Sequence, residues 1–541
     1  MPESLSMPQR PTTPRSRQTV ANVLADRVAD RGDHPWLIEG ERRVSYREMD
    51  VLSNRLANGL SDAGVRSGDT VLYMLRDSIE LVALWCALAK LGAIEVPINV
   101  HLRGNTLAHL VSDSQAKLLV CDADFLDRFA DIEVRIGKVE RLIVQGEGVI
   151  PAVLQRLEPA PFDTLLKADS APPAADPKGH DLVAVMYTSG TTGPSKGVMV
   201  THIHAWEYAC GCMEMVELGP GDVYYAPLPL FHIAGQWAVV YACAIAGATA
   251  VIPPAFSASG FWDDVRRYGA TTSFLLGAMA NLLSRQPERD DDADNPMQRM
   301  LVVPLLPDIE AFKRRFGVRV STTWGSTEVN VPTRSGFDLA NSRTCGRVET
   351  SLYEVRIVDT DDNEVPVGTP GEAVVRARDP WMLMAGYWNN PVGTLAAWRN
   401  LWLHSGDVLM RDEAGNLYFV DRVKDAIRRR GENISSMEVE YEINAHPAVL
   451  ECAVIPVDSE HGEQDVMAVV VPKPGQVVDP VDLIRFLEPR MAYFSIPRYL
   501  EFTDSLPRTQ TGKIQKFTLR ERGTGASTWD REAAGVRLGR R

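Results

Sequence analysis

The sequence predicts an α/β protein: a large N-terminal domain of two α/β subdomains plus a β-rich subdomain, with a small mobile α+β C-terminal domain. Three observations predict it. Short apolar, β-branched runs alternate with segments of helical period from residue 19 to residue 323, the rhythm of a parallel sheet covered by helices. Beyond residue 350 the pattern changes to short strands and turns. At residues 421–435 the composition shifts to a charged, Gly-containing stretch, and an independent-looking strand-and-helix pattern follows it. The expected division is a disordered leader over 1–18, a large domain over 19–421, a hinge at 422–424 and a cap domain over 425–541.

Helical periodicity covers residues 19–31 and 46–63. A β-rich run at 70–75 is followed by Asp77 and Glu80, spaced as a capping box, and an apolar helix to residue 91. Strands are expected at 94–98 and 117–120. Residues 167–180 are polar and rich in Pro and Ala, and read as a loop. The rhythm then resumes with strands at 223–226, 249–252, 271–275 and 319–323 and helices at 237–246, 261–268 and 309–316. Residues 288–294 form an acidic surface loop. In the cap, helices are expected near 437–445 and 480–488 and strands near 450–457 and 467–471, with an exposed polar tail beyond residue 520.

A chain of 541 residues can bury a large core and should hold at least two domains. The net charge of −14 argues against nucleic acid or an anionic membrane as the main partner. Seven dispersed cysteines suit a reducing, cytoplasmic setting better than a disulfide framework. Cys210 with Cys212 and His202 with His204 lack a second pair at ligand spacing, so no metal centre is expected there. The first eighteen residues have no apolar h-region and do not read as a secretory signal. The apolar run 237–252 is short for an integral membrane segment and reads as a buried helix entering a buried strand.

Residues 187–198 read Tyr-Thr-Ser-Gly-Thr-Thr-Gly-Pro-Ser-Lys-Gly-Val. Gly190 and Gly193 let the backbone turn several N–H groups toward one anion. Thr188, Ser189, Thr191, Thr192 and Ser195 add hydroxyl donors, and Lys196 adds a mobile positive charge. Apolar strands flank the stretch, so it reads as a polyphosphate cradle rather than a linker. It is not a Walker loop, because Ser195 precedes Lys196, Gly197 follows it, and the next helix starts only after Thr201.

Further chemistry follows downstream. Trp324, Gly325, Ser326, Thr327 and Glu328 follow a strand, and supply an aromatic for stacking on a base, a phosphate donor in Thr327 and a hard-cation ligand for Mg2+ in Glu328. Residues 402–407 read Trp-Leu-His-Ser-Gly-Asp, and Asp407 can accept both hydroxyls of a ribose.

In this order, these elements resemble the adenylate-forming superfamily of acyl-CoA synthetases, peptide-synthetase adenylation domains and firefly-type luciferases, over about residues 45–516. The resemblance implies that Arg422 reaches the ribose or phosphate, that Lys424 is a hinge, and that Arg430, Gly431, Glu432 and Asn433 line the channel for CoA. It implies that Lys513, in Pro-Arg-Thr-Gln-Thr-Gly-Lys at 507–513, swings in to neutralise charge as carboxylate and α-phosphate react. Residue His232 is expected at the border of an acyl pocket, with Trp237, Val302 and Asn330. One departure stands out: a Gly-Gly-Ala-Pro segment common in the superfamily is replaced by Val-Val-Pro-Leu-Leu at 302–306, bulk expected to crowd the adenine or the acyl pocket. The carnitine/crotonobetaine-CoA ligase-like branch shares that departure, and residues 431–435, 446–449 and 491–500 resemble it further.

The implied reaction joins a small carboxylic acid to AMP with release of pyrophosphate from ATP, then to CoA. Loading of a separate carrier protein, a luciferase-like oxygenase and a nucleotide-binding pseudoenzyme are the alternatives, and Lys513, Glu328 and Asp407 weigh against the last. The sequence names neither the acid nor the choice between a monomer and a homodimer.

Overall fold

The computed structural model describes residues 10–188, 195–253, 255–422, 427–429, 432–434, 436–459, 464–488, 490, 491, 493, 495–508 and 514–538. Local signals start the helices where the sequence puts them. Thr19 caps Val20–Arg31 by accepting from the Asn22 N–H. Ser45 and Glu48 form a reciprocal capping box at the head of Tyr46–Asp62. Ile79–Leu91 is capped by Ser78, whose side chain accepts from the Leu81 N–H, and not by the expected Asp77. That helix is buried almost all round, which explains why it has no polar face.

The large domain is layered. One sheet runs, edge to edge, through Gly386–Tyr387, Lys196–Thr201, Leu182–Thr188, Ile94–Pro97, Thr70–Met74, Leu118–Asp122, Arg141–Gln145 and Ala160–Pro161. A second runs through Arg319–Ser321, Arg299–Val303, Thr272–Leu276, Val223–Tyr225, Thr249–Val251, Pro35–Glu39 and Arg42–Ser45. Both are mainly parallel. The largest core cluster joins the inner faces of both sheets to the helices at 20–31, 46–62, 79–91, 202–215 and 233–246. Separate clusters seal the outer faces: Gly104–Ser114 and Leu126–Ala130 cover the first sheet, and Phe261–Tyr268, Gly277–Ser284 and Ile309–Phe316 cover the second. An antiparallel sheet built from residues 333–422 completes this part of the chain.

Four expectations change. The leader does not reach residue 18: Arg10 pairs with the buried Glu207 and lies over Trp206 at 5.3 Å, and Arg15 reaches Asp379 at 2.6 Å. Strands at 35–39 and 42–45 join the second sheet beside Thr249–Val251, so the two α/β halves interleave rather than follow one another. The helix expected from 237 begins at Ile233, and Gln236–Tyr241 widens into a π-helical stretch. The polar tail returns to the cap, where Trp529–Asp530 pairs with Tyr499–Phe502 and Arg531 is buried.

The cap sheet orders Val449–Asp458, Gln464–Pro472, Tyr499–Phe502 and Trp529–Asp530, with Ser436–Asn444 and Pro480–Leu487 packed on it. Asp465 takes Arg429 at 2.8 Å and Arg498 at 2.9 Å, so this buried carboxylate is paired on both oxygens.

Candidate active site

The strands on either side of the phosphate stretch, Leu182–Thr188 and Lys196–Thr201, pair antiparallel as a hairpin. Thr188 ends one strand and pairs in register with Lys196 at the start of the next. Ser189, Gly190, Thr191, Thr192 and Gly193 lie outside the described residues. The Lys196 ammonium lies 4.8 Å from the ring centroid of Tyr387. The Tyr387 hydroxyl donates to Glu328 Oε1 at 3.3 Å. One phenol therefore brings a cation and a carboxylate from distant parts of the chain to the same place, and the cation–π contact is worth about 0.5–2 kcal/mol. Sequence reasoning missed Tyr387. Its place comes from a two-residue strand, Gly386–Tyr387, that pairs with Lys196–Thr201, and nothing so short has a periodicity to read.

The segment after Arg319–Ser321 forms a tight hairpin. Ser326 and Asn330 exchange backbone hydrogen bonds of 3.1 Å in both directions. Ser326 Oγ accepts from the Glu328 N–H at 3.2 Å and the Val329 N–H at 3.3 Å, which orders the turn that carries Thr327 and Glu328. A Cβ on Gly325 would stand 2.2 Å from the Asn330 carbonyl oxygen, so only glycine fits. Asn330 is fully buried and left-handed at φ +68, and its amide donates to the His204 and Met382 carbonyls and accepts from the Val331 N–H. It is a structural residue of this turn rather than the pocket-lining residue expected.

Trp324 was expected to present its ring to a base. It is buried, and its indole N–H donates to Asp407 Oδ2 at 2.9 Å. Asp407 is itself buried, and it faces Arg422 across the strands Trp402–Arg411 and Asn416–Arg422. The Ser405 hydroxyl donates to the Ala373 carbonyl at 2.6 Å and accepts from the Asp407 N–H at 3.1 Å. Trp324, Ser405, Asp407 and the Arg422 backbone thus form one unit, although they come from stretches far apart in sequence. The Arg422 side chain lies outside the described residues, as do Lys424, Arg430, Gly431 and Lys513. Glu432 and Asn433 lie on the strand Glu432–Ile434, with their side chains likewise outside.

Of the residues expected at an acyl pocket, His232 is exposed, and its Nδ1 accepts from the Ala234 N–H at 3.2 Å, capping the helix that follows. The loop before it is tied to the first sheet, because the Leu230 N–H donates to Asp77 Oδ1 at 2.9 Å. Burial pushes Asp77 up to about 6. Trp237 is fully buried in the inner core. Val302 does not face the site. In the register Phe274↔Leu301 and Leu275↔Val302, Phe274 and Leu301 belong to the inner core, whereas Leu275 and Val302 belong to the outer one. Leu305 and Leu306 also pack outward. Of the bulky segment at 302–306, Val303 is the side chain that packs on the inner core, so most of that bulk is absorbed behind the sheet. The alternation of a strand decides this, and an element replaced as a block in sequence hides it.

Beside this side of the core lies a buried carboxyl group. Gln236 Nε2 donates to Glu95 Oε1 at 2.6 Å, and the Tyr73 hydroxyl donates to Glu95 Oε2 at 2.5 Å. Burial pushes Glu95 up to about 8, against the pull of both hydrogen bonds. The folded pKa exceeds the unfolded one, so stability from this group is present below about 4.5 and is lost as pH rises toward about 8. The melting temperature of the wild type minus that of Glu95→Gln is therefore expected to fall as pH is raised from about 5 to about 8. Scanning calorimetry across that range checks it, and a flat or rising difference contradicts it.

The family comparisons bear directly on this geometry. The model described as AMP-binding enzyme matches residues 24–388, and that described as AMP-binding enzyme C-terminal domain matches residues 438–513. The chain belongs to the AMP-binding enzyme family. This AMP-binding enzyme is 34% identical over 500 residues to a crotonobetaine/carnitine–CoA ligase of Escherichia coli (strain K12 / DH10B), covering 88% of this chain and 93% of that one. It is 33% identical over 523 residues to the ligase of the same name from Salmonella paratyphi C (strain RKS4594), covering 93% and 99%. Among solved structures it is similar to the anthranilate CoA ligase AuaEII in complex with anthranoyl-AMP, with a TM-score of 0.84, 25% identity and coverage of 94% and 98%. It is also similar to ATP-bound MatB from Rhodopseudomonas palustris, with a TM-score of 0.82, 28% identity and coverage of 93% and 98%. The larger family match closes at residue 388, one residue beyond the phenol that joins Lys196 to Glu328.

Proposed function

We propose that this AMP-binding enzyme is an ATP-dependent acid–CoA ligase, in which a carboxylate and ATP give acyl-AMP and pyrophosphate, and CoA then gives acyl-CoA and AMP. The observation that carries the reading is the meeting of Lys196 and Glu328 through Tyr387 beside the phosphate hairpin. The buried Trp324–Asp407 pair supports it as the ribose end of the same nucleotide site.

A carboxylate oxygen is a poor leaving group, and AMP is a better one. The protein's share is to position the reactants and to neutralise charge as it develops. In this reading Thr188 and Lys196 hold the phosphates that leave, Asp407 and Arg422 hold the ribose, and Lys513 neutralises the reacting oxygens. Glu328 would hold Mg2+ in this reading: its carboxylate is set beside the phosphate hairpin by the Tyr387 hydroxyl, and a single carboxylate completed by substrate phosphates is how Mg2+ is commonly held. When bound it would supply charge neutralisation on the phosphates. His232 borders the acyl pocket in this reading, and Trp237 backs it.

The domain division proposed is 19–421, a hinge at 422–424 and a cap over 425–541, with Arg430, Gly431, Glu432 and Asn433 serving the CoA step. Lys424→Pro is expected to spare pyrophosphate release and to reduce thioester formation at least tenfold, because rotation between the steps needs a free backbone there. Rapid-quench measurement of each half-reaction checks it, and equal losses in both would sink the hinge. All seven cysteines are free and buried, which suits a reducing compartment, and we place the enzyme in the cytoplasm.

The deciding experiment is a panel of carboxylic acids, led by crotonobetaine and carnitine, scored for pyrophosphate release with and without CoA. An acid that releases pyrophosphate and yields AMP plus acyl-CoA supports the reading. An acid that is adenylated but never transferred to CoA favours a carrier-protein acceptor.

A further inference from the structure

The helix Gly104–Ser114 lies on the outer face of the first sheet, where Leu107, Leu110 and Val111 bury it. Two of its polar side chains point to neither core. His109 and Asp113 are spaced i, i+4 and so share one helix face. His109 Nε2 lies 3.0 Å from the Ser195 carbonyl oxygen. A carbonyl only accepts, so the imidazole donates from Nε2. Asp113 Oδ2 accepts from the Tyr187 hydroxyl at 2.6 Å. Burial first, and then the hydrogen bond it donates to Asp113, push the Tyr187 phenol well above its ordinary value, so it stays a neutral donor. Tyr187 immediately precedes Thr188, and Ser195 immediately precedes Lys196. One helix face therefore holds both stems of the phosphate hairpin.

The same helix also sets the edge strand Gly386–Tyr387. Its terminal carbonyl groups have no partner within the helix. The Asp113 carbonyl accepts from the Trp388 indole N–H at 3.1 Å and from Asn389 Nδ2 at 2.7 Å. The Trp388 backbone N–H donates to the Gly197 carbonyl at 2.7 Å. Tyr387, which joins Lys196 to Glu328, lies directly before Trp388.

We propose that His109 and Asp113 are positioning residues for the nucleotide-phosphate site, holding Thr188, Lys196 and Tyr387 in register so that ATP meets them already arranged. The proposal rests on the ligase reading for its substrate. The gain is preorganisation: without these two bonds, ATP binding itself has to order the hairpin.

The test uses the full chain. Tyr187→Phe, Asp113→Ala and His109→Ala are each expected to raise KM for ATP about tenfold, with kcat and KM for the acid changed by less than about threefold, since each loses one part-buried hydrogen bond that acts before chemistry. Asp113→Asn keeps an acceptor and His109→Gln keeps a donor, so both are expected to stay near wild type. The double variant Tyr187→Phe with Asp113→Ala is expected to be no worse than the worse single one, because both remove the same bond. ATP KM values within twofold of wild type, additive losses in the double variant, or a lowered melting temperature with unchanged ATP KM would each overturn the proposal. If His109→Ala does not fold, Tyr187→Phe, which removes one hydroxyl, carries the test. A wild type that releases no pyrophosphate with any acid would count against the ligase reading instead. Calorimetric ATP affinity, compared between wild type and variants, then decides the clamp independently.

Discussion

Lys513→Ala is expected to slow acyl-adenylate formation by about two to three orders of magnitude, while thioester formation from supplied acyl-adenylate stays near the wild-type rate. The first step brings a carboxylate onto an already anionic phosphate, and a positioned cation is worth most where charge of one sign accumulates away from water. The second step begins from a neutral carbonyl carbon, so it does not need that cation. Lys513 lies outside the described residues, between Arg508 and Ile514, which form an antiparallel bridge. Its neighbour cannot stand in for it. Lys516 pairs with Glu440 at 2.8 Å and donates to Ser436 Oγ at 2.5 Å, and so it is committed to the cap. Single-turnover assays of the two half-reactions check the prediction. Equal losses in both, or an unchanged first step, would show that the lysine has another role.

Gly325→Ala is expected to abolish most adenylation, by about a hundredfold or more, while the overall fold persists. The added Cβ would sit 2.2 Å from the Asn330 carbonyl oxygen and 3.1 Å from Val331 Cα. Both obstacles are backbone, so the turn itself has to open rather than a side chain move aside. Overpacking of this kind costs about 1–3 kcal/mol, which a domain of this size survives. The cost falls on the Ser326–Asn330 bridge that aims Thr327 and Glu328, and a misplacement of about 1 Å at a reacting centre is enough for a hundredfold loss. The melting temperature and pyrophosphate release of the variant check it together. A stable variant with near-normal activity would remove this turn from the site.

Much of the architecture was legible by helical period: residues 19–31 and 46–63, Phe261–Tyr268 and Ile309–Phe316 announce themselves that way, whereas the one cap read from the sequence, Asp77, gave way to Ser78. The strand at 35–39 escaped notice because its parallel partner comes about two hundred residues later, and the four-residue strand at 42–45 pairs only with it at the sheet edge. The polar tail misled for a similar reason: Trp529–Asp530 is a strand only because Tyr499–Phe502 offers it an edge.

The candidate site divides in the same way. Residue types with strong intrinsic chemistry in ordered motifs, namely the hydroxyls and lysine around Thr188 and Lys196, Glu328 and Asp407, stand out in the sequence and in the family resemblance it carries. What only the tertiary structure decided is which way each neighbour faces. It turned Val302 outward, spent the amide of Asn330 on backbone, buried Trp324 against Asp407, and brought Tyr387, His109 and Asp113 to the phosphate hairpin. Sequence specifies chemistry residue by residue, and period specifies one face of one element. The meeting of two elements depends on sheet order and register, which arise from the burial of all faces at once and are written at no single position.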